Sequence, residues 1–233
     1  MIIIHGEDVV SSRNRLQELL TEVKLANKEV VKLEGKKVTL TEIKQALEAQ
    51  SLFGQERAVV VEQLLGRQQS KDKEAILEYL SKEDLGKLDL YSWDDKQLTA
   101  TQLKGFGKAK VQEFKLPQVL WQFLDGLKPG QAKYTLGLFE KVIEHQPVEM
   151  VFGLLIKRLR YLVVARIEGQ KGLGGFKELQ GWQQGKMMAQ ARQFSEEKLK
   201  NLVAEMLEMD YKRKTGKTNL GLTEGLELII GQI

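Results

Sequence analysis

Several short segments of this chain carry residue types that handle phosphate, metal or protons, and their spacing decides what chemistry they support. The first is the loop from His5 to Arg13. A phosphate-binding loop needs glycines so that the backbone can approach the phosphates, a lysine to reach them and a hydroxyl for magnesium. This loop has one glycine, Gly6, no lysine, and two acids, Glu7 and Asp8, which repel phosphate. The stretch Val59–Gln63 lacks the paired acids that would end a metal-binding strand. The parts required for phosphoryl transfer are therefore missing. A second segment, Gly216-Lys217-Thr218, looks like the tail of a phosphate loop. The glycine that its spacing requires would sit at Tyr211, and the segment follows a helix pattern. It reads as a basic helix end with a glycine cap. Gly172–Gly175 likewise follows a helix and reads as a loop. Glu7 and Asp8 stand at a strand's C-terminal end, where α/β proteins place sites, yet acids there equally suit the start of a helix. No carboxylate pair stands out as a catalytic dyad. Lys212, Arg213, Lys214 and Lys217 either meet DNA phosphates or form a solvated helix end.

Composition removes further classes. Cysteine is absent, which excludes disulfides and thiolate metal sites. His5 and His145 are the only histidines, too few for an imidazole cluster. The net charge of +4 permits nucleic-acid contact without showing it. No run approaches the roughly 20 apolar residues of a membrane span. The opening Met1–Val10 has no basic leader, so the expectation is a cytoplasmic protein without a signal peptide. The sequence shows no internal repeat and no low-complexity segment.

The elements that must position these residues fall into two halves. Residues 1–116 alternate strand and helix periods. Strands are expected at Ile2–His5, Glu29–Leu33, Ala58–Val61, Lys87–Trp93 and Lys110–Leu116. Leu16, Leu19, Leu20 and Val23 mark one helix face, and Leu40, Ile43 and Leu47 a second. Ser70 caps a helix burying Ile76, Leu77 and Leu80, and a short helix lies near Thr101–Phe106. Strands separated by helices of this length indicate a parallel sheet with helices on its faces. From Pro117 the period-two pattern stops. Helices are expected at Val119–Leu127, Tyr134–His145, Val148–Ile167, Lys186–Phe194, from Ser195 to a cap at Gly216, and from Thr223. The Val148–Ile167 helix is apolar nearly all round, as in a bundle core, so Lys157, Arg158, Arg160 and Arg166 must reach solvent or pair. Residues 117–233 thus form an all-α bundle of five to seven helices. It follows the first half with almost no linker.

One apolar pair breaks the pattern. If the helix that buries Leu40, Ile43 and Leu47 runs on through Ser51, Leu52 and Phe53 lie about 120° and 140° from Leu40 at about 100° per residue. Both then point away from the core, and Gly54 ends the helix. A Leu-Phe pair on a helix tip suits a partner's apolar pocket, because a few anchors carry most of an interface's energy. The other reading is that the helix unwinds after Gln50 and both residues tuck under the sheet.

Three stretches together resemble the delta subunit of the bacterial DNA polymerase III clamp loader. They are Ile2–Asp8 leading into a helix, Ser51-Leu52-Phe53 followed closely by Arg57–Val61, and Leu207–Gly216 with Leu226–Ile230 after it. The last is similar to that family's signature of leucine, acidic residue, aspartate and lysine-threonine-glycine. Leu120–Leu127 and Leu154–Leu162 also look like its collar. The resemblance implies a divergent AAA+-like α/β module without a phosphate loop (1–116) and a helical collar for oligomerisation (117–233). The family's small lid domain would be missing between them. It implies a non-catalytic, cofactor-free subunit of a DNA-directed DNA polymerase holoenzyme that acts in DNA replication. Its partners would be the sliding clamp, bound through Leu52 and Phe53 flanked by Ser51, the ATPase and other loader subunits, bound through the collar, and primed DNA within the complex. The missing phosphate loop argues against the loader's ATPase subunits. The missing cysteines argue against its zinc-bearing relatives, including delta-prime subunits. The alternative is an ATP-independent AAA+-like scaffold with another partner.

Overall fold

Ile3 and Ile4 are neighbours in sequence, fully buried, and pack on opposite faces of one sheet. That alternation organises the first of two compact units, Met1–Leu116 and Pro117–Ile233. The computed structural model describes residues 1–48, 56–82 and 89–233. In the first unit the elements are β1 (Ile2–His5), α1 (Val9–Leu25), β2 (Glu29–Glu34), α2 (Leu40–Glu48), β3 (Arg57–Glu62), α3 (Lys71–Lys82), β4 (Leu90–Asp94), α4 (Ala100–Leu103) and β5 (Lys110–Glu113). The strands form a five-stranded sheet in the order β2-β3-β4-β1-β5, and every pairing is parallel. This is the parallel α/β arrangement expected from the alternating periods.

Because side chains alternate along a strand, each face has its own core. Ile4, Val60 and Trp93 meet Leu16, Leu19 and Leu20 of α1 on one face. Ile3, Val59, Val61 and Leu90 meet Ile43 and Ala46 of α2, Ile76 and Leu80 of α3, and Phe106 on the other. Burying each such aliphatic side chain contributes about 1.5–3 kcal/mol. The chain moves from β1 outward to β2, then back through β3 and β4, and crosses β1 to reach β5. With right-handed crossovers that reversal puts α1 on one face and α2 and α3 on the other. The connections after β1 and β4 therefore diverge, leaving a crevice at their C-terminal ends, where open α/β sheets take ligands.

The second unit holds α5 (Gln118–Asp125), α6 (Ala132–Ile143), α7 (Val148–Ile167), α8 (Gly169–Leu173), α9 (Gly181–Ala191), α10 (Glu196–Lys214) and α11 (Leu222–Ile230). It is all-helical among its described residues, as expected. Helix α7 is the hub, packing on α6, α8, α9, α10 and α11, which is why it is apolar on so many sides. Gly225 has no side chain because a Cβ there would lie 2.2 Å from Met209 Sδ. Arg158 does not reach solvent: it is buried and pairs with Asp125 at 3.0 Å while donating to Gln190 Oε1 at 3.2 Å. Burial lowers its pKa, and Asp125 opposes that shift. Gln190 Nε2 in turn donates to the carbonyls of Leu124 (2.8 Å) and Leu127 (3.0 Å), closing the C-terminal end of α5.

Three expectations change. The Gly172–Gly175 loop is partly helical, since α8 runs to Leu173. Its Gly172 packs where a Cβ would meet Glu168 and Val164 below 3 Å. Helix α9 begins at Gly181, five residues before the expected Lys186, because Gln180 and Gln183 form a capping box. Gly181 and Gly185 lie within it. The strand expected from Lys87 begins at Leu90, with 87 and 88 outside the described residues.

Candidate functional site

The crevice at the C-terminal ends of β1 and β4 is filled by the protein's own groups. After β1 the chain turns at Gly6 (φ +140), where a Cβ would lie 2.0 Å from the Phe114 carbonyl oxygen. Phe114 N donates to His5 O at 2.7 Å, and Asp8 N donates to Phe114 O at 3.1 Å. The segment following β5 is thereby stitched onto the first loop. Asp8 then caps α1: its Oδ1 accepts from Ser11 N at 3.0 Å and its Oδ2 from Ser11 Oγ at 2.8 Å. A helix N-terminus attracts anions, and here the anion is a carboxylate of the same chain. Of the two acids read from sequence, Asp8 is buried as the cap and Glu7 is exposed.

Four residues at this edge were not singled out from sequence. His5 is buried, and its Nδ1 accepts from Leu98 N at 3.2 Å, so that nitrogen carries no proton in the neutral ring. Burial lowers its pKa. Asp94, fully buried, accepts from Gly66 N at 2.7 Å and Leu65 N at 3.3 Å. Burial raises its pKa to about 6 against the pull of those two amides. Lys73 is 3% exposed and donates to the carbonyls of Leu65 at 2.7 Å and Arg67 at 2.8 Å; burial lowers its pKa. Arg13 stacks 3.4 Å from the Trp93 ring centroid and pairs with Glu62 at 2.8 Å. These groups meet only through folding, and no spacing in the sequence links them. Their hydrogen bonds hold loops together, and among the described residues no cluster of His, Cys, Asp and Glu could hold a metal ion.

Ser51, Leu52 and Phe53 lie outside the described residues. The helix leading to them is anchored along its described length. Thr39 and Glu42 form a reciprocal cap (Thr39 N to Glu42 Oε2 2.8 Å, Glu42 N to Thr39 Oγ1 3.3 Å). Ile43 and Ala46 are buried, and Leu40 and Leu47 half-buried against the same core. Arg67 Nη1 donates to Gly35 O at 2.5 Å, fixing the turn before α2. Tyr79 of α3 donates to Glu48 Oε1 at 3.0 Å.

The basic run lies at the C-terminal end of α10. Gly216 takes φ +67, Lys217 N donates to Lys212 O at 2.8 Å and Gly216 N to Arg213 O at 3.3 Å. This is a Schellman cap, so Gly216-Lys217-Thr218 terminates a helix with carbonyls. Lys212 pairs with Glu208 and Lys214 with Asp210, each at 2.7 Å. Lys217 lies over the Tyr211 ring and 3.0 Å from its hydroxyl. Arg213 is half-buried.

No protein-family model matches this chain, and no curated protein does. Among solved structures it is similar to the DNA clamp loader delta protein of Bacillus subtilis, at 15% identity over 98% of this chain and 93% of that one, with a TM-score of 0.49. It is also similar to a DNA polymerase III gamma subunit-related protein of Thermotoga maritima, at 15% identity over 98% of this chain and 92% of that one, with a TM-score of 0.34.

Proposed function

We propose that this chain is a non-catalytic, delta-type subunit of a replicative clamp loader. In this reading residues 1–116 are an AAA+-like module that binds the sliding clamp, and residues 117–233 are a collar that assembles with the ATPase and other subunits. The observation that carries the reading is the ordered set of resembling stretches, Ile2–Asp8, Ser51–Val61 and Leu207–Ile230. The first opens a parallel α/β unit and the last falls in an all-helical one. The carboxylate of Asp8 on the first amides of α1 supports a role without nucleotide, because phosphate and carboxylate compete for the same donors and repel each other. Leu52 and Phe53 enter an apolar pocket of the clamp and bias its ring interface. Burying the two gives about 3–6 kcal/mol before ordering costs, enough to strain a ring but not to drive a cycle without ATP-hydrolysing partners.

The test is affinity for the same organism's sliding clamp, measured with the full chain. Leu52→Ala with Phe53→Ala should leave the fold intact and weaken clamp binding at least about tenfold, the equivalent of ~1.4 kcal/mol. A double variant that stays folded and binds like the parent removes the proposed contact. One that loses several kcal/mol of stability places the pair in the core. If the parent chain itself does not bind the clamp, the scaffold reading with another partner takes over. Primed DNA contact through Lys212, Arg213, Lys214 and Lys217 is a lesser part of the proposal, since two of the four are each already paired with a carboxylate.

A further inference from the structure

Helix α6 packs one side into the bundle and leaves the other exposed. Thr135, Leu138, Phe139 and Val142 are buried. On the opposite side Lys133, Tyr134, Glu140, Lys141 and Glu144 are all exposed, and Tyr134 keeps 58% of its surface in water. A groove of about 740 Å³ runs along this side from Gly130 past Gly137 to Glu144. Gly137 marks its middle. A Cβ there would meet nothing within 4 Å, so no packing inside the chain requires glycine, although glycine weakens an exposed helix interior. Among the described residues Lys133, Glu140 and Lys141 form no ion pair within the chain. Glu140 and Glu144, four residues apart, repel each other along the helix.

From this pattern we infer that the outer face of α6 is a self-association surface, on which two copies of this chain pair their α6 helices antiparallel about a two-fold axis at Gly137. The side chains are self-complementary about that point. At about 100° per residue, Lys133 and Glu140 are turned about 40° and about 60° to one side of Gly137. At about 1.5 Å per residue, they stand about 6 Å before it and about 4.5 Å after it. Tyr134 and Lys141 lie to the other side at the matching angles and heights. A two-fold axis between antiparallel helices reverses the helix direction and keeps each side over itself. It therefore sets Lys133 opposite Glu140 of the second copy and Tyr134 opposite its Lys141, each contact occurring twice as in any isologous interface. The first pair is opposite in charge, and the second places a cation on an aromatic ring. Gly137 meets Gly137 at the axis, where two absent side chains let the backbones approach closely. The antiparallel arrangement also opposes the two helix dipoles. The helix is 12 residues long, so this contact alone falls below the roughly 1,200 Å² of a standard interface. The dimer is correspondingly weak, with a dissociation constant in the upper micromolar range. It is independent of the proposed clamp contact and of assembly with loader subunits.

The experiment is sedimentation equilibrium of the full chain, without partners, from about 1 to about 500 μM at low salt. The parent should pass from monomer to dimer across that range, and added salt should weaken the dimer. Lys133→Glu alone and Glu140→Lys alone should each weaken it at least about tenfold, because each brings like charges together twice. Lys133→Glu and Glu140→Lys in one chain re-form the pair with the signs exchanged, and should return the dimer to within about threefold of the parent. Gly137→Gln should weaken dimerisation yet leave the unfolding midpoint of the dilute monomer equal or higher, since glutamine is the better helix former. Those opposed effects separate an interface from a structural role. Circular dichroism confirms that each variant is folded. A parent that stays monomeric at the highest concentration overturns the inference. So does a double charge exchange that fails to restore the dimer. If the parent stays monomeric but binds a loader subunit, and Lys133→Glu removes that binding, the face is an interface with another protein and the inference is wrong.

Discussion

Both units set a tryptophan beside a cation, and they use the pair in opposite ways. Trp93 at the end of β4 is 1% exposed, donates from its indole nitrogen to Ser12 Oγ at 3.1 Å, and carries the Arg13 guanidinium 3.4 Å above its ring. Arg13 is itself neutralised by Glu62. Trp182 on α9 is 62% exposed, its cation stands at 5.4 Å, and its indole nitrogen bonds only locally, to Gln180. The first pair is spent on holding α1 against the sheet edge. The second stays largely in water, held to the fold through Lys186, which pairs with Asp125 at 3.4 Å. Residue type and spacing do not distinguish the two cases. What distinguishes them is whether the ring's surface has already been removed from water.

The comparison breaks most visibly under truncation. Trp93→Ala removes a fully buried aromatic together with the platform for Arg13, and should cost about 3–5 kcal/mol in urea unfolding. Trp182→Ala should stay within about 0.5 kcal/mol of the parent. Similar losses at the two positions would mean that α9 is packed more tightly than its exposure indicates, and the contrast would fail.

A second contrast lies in how the units treat a buried charge. Arg158 has a carboxylate, an amide oxygen and a sulfur around it. Asp94 accepts from two backbone amides, Lys73 attracts its charge and Asp95 repels it. Its pKa is raised to about 6 in the folded protein, so the folded state binds the proton more tightly than the unfolded chain does. Stability from this group is therefore present below the unfolded carboxylate range and is lost as pH rises through about 6. Between pH 4 and 7 the parent should lose about 2–3 kcal/mol relative to Asp94→Asn, which has no charge to bury. His5 acts in the opposite sense. Its pKa is lowered by burial, so it costs stability as pH falls below the ordinary imidazole range. Subtracting the Asn variant's curve from the parent's isolates Asp94 from His5. A flat difference would show that Asp94 is solvated.

The sequence pattern was most readable where one face of an element is buried and least readable where an element packs through small residues. Val59, Val60 and Val61 announce a central strand, and Leu16, Leu19, Leu20 and Val23 a helix face, because burial imposes their periods. The same rule missed the start of α9, where Gly181 and Gly185 carry no hydrophobic signal and a glutamine capping box sets the start. Nor does it announce the surroundings of Tyr161, which is 6% exposed, stacks edge-on to Phe176 and donates to Glu178 at 2.7 Å. At the sheet edge Asp8 was readable as a helix cap, since a cap is local. Asp94, Lys73 and His5 were not, because their partners lie 6 to 93 residues away along the chain. Ser51, Leu52 and Phe53 rest on an off-face angle and a family resemblance.

The smallest expected effects lie at the basic end of α10. At the end of α10, Gly216 holds a left-handed turn (φ +67) that closes the Schellman cap. Gly216→Ala forces a Cβ into that conformation and should cost about 1 kcal/mol. Lys212 and Lys214 sit beside it, exposed, each bonded to a carboxylate one turn earlier. Replacing both with alanine should leave the unfolding midpoint unchanged within error, because exposed pairs of this kind contribute little. It should also change oligo-dT affinity by less than about threefold at 0.15 M salt, where exposed charges are screened beyond about 8 Å. Lys186 likewise pairs with Asp125, at 3.4 Å, so removing its charge should also leave the unfolding midpoint unchanged within error. A larger fall in oligo-dT affinity on replacing Lys212 and Lys214 would mean that phosphate is bound at the helix end despite its carboxylates, through Lys212, Arg213, Lys214 and Lys217.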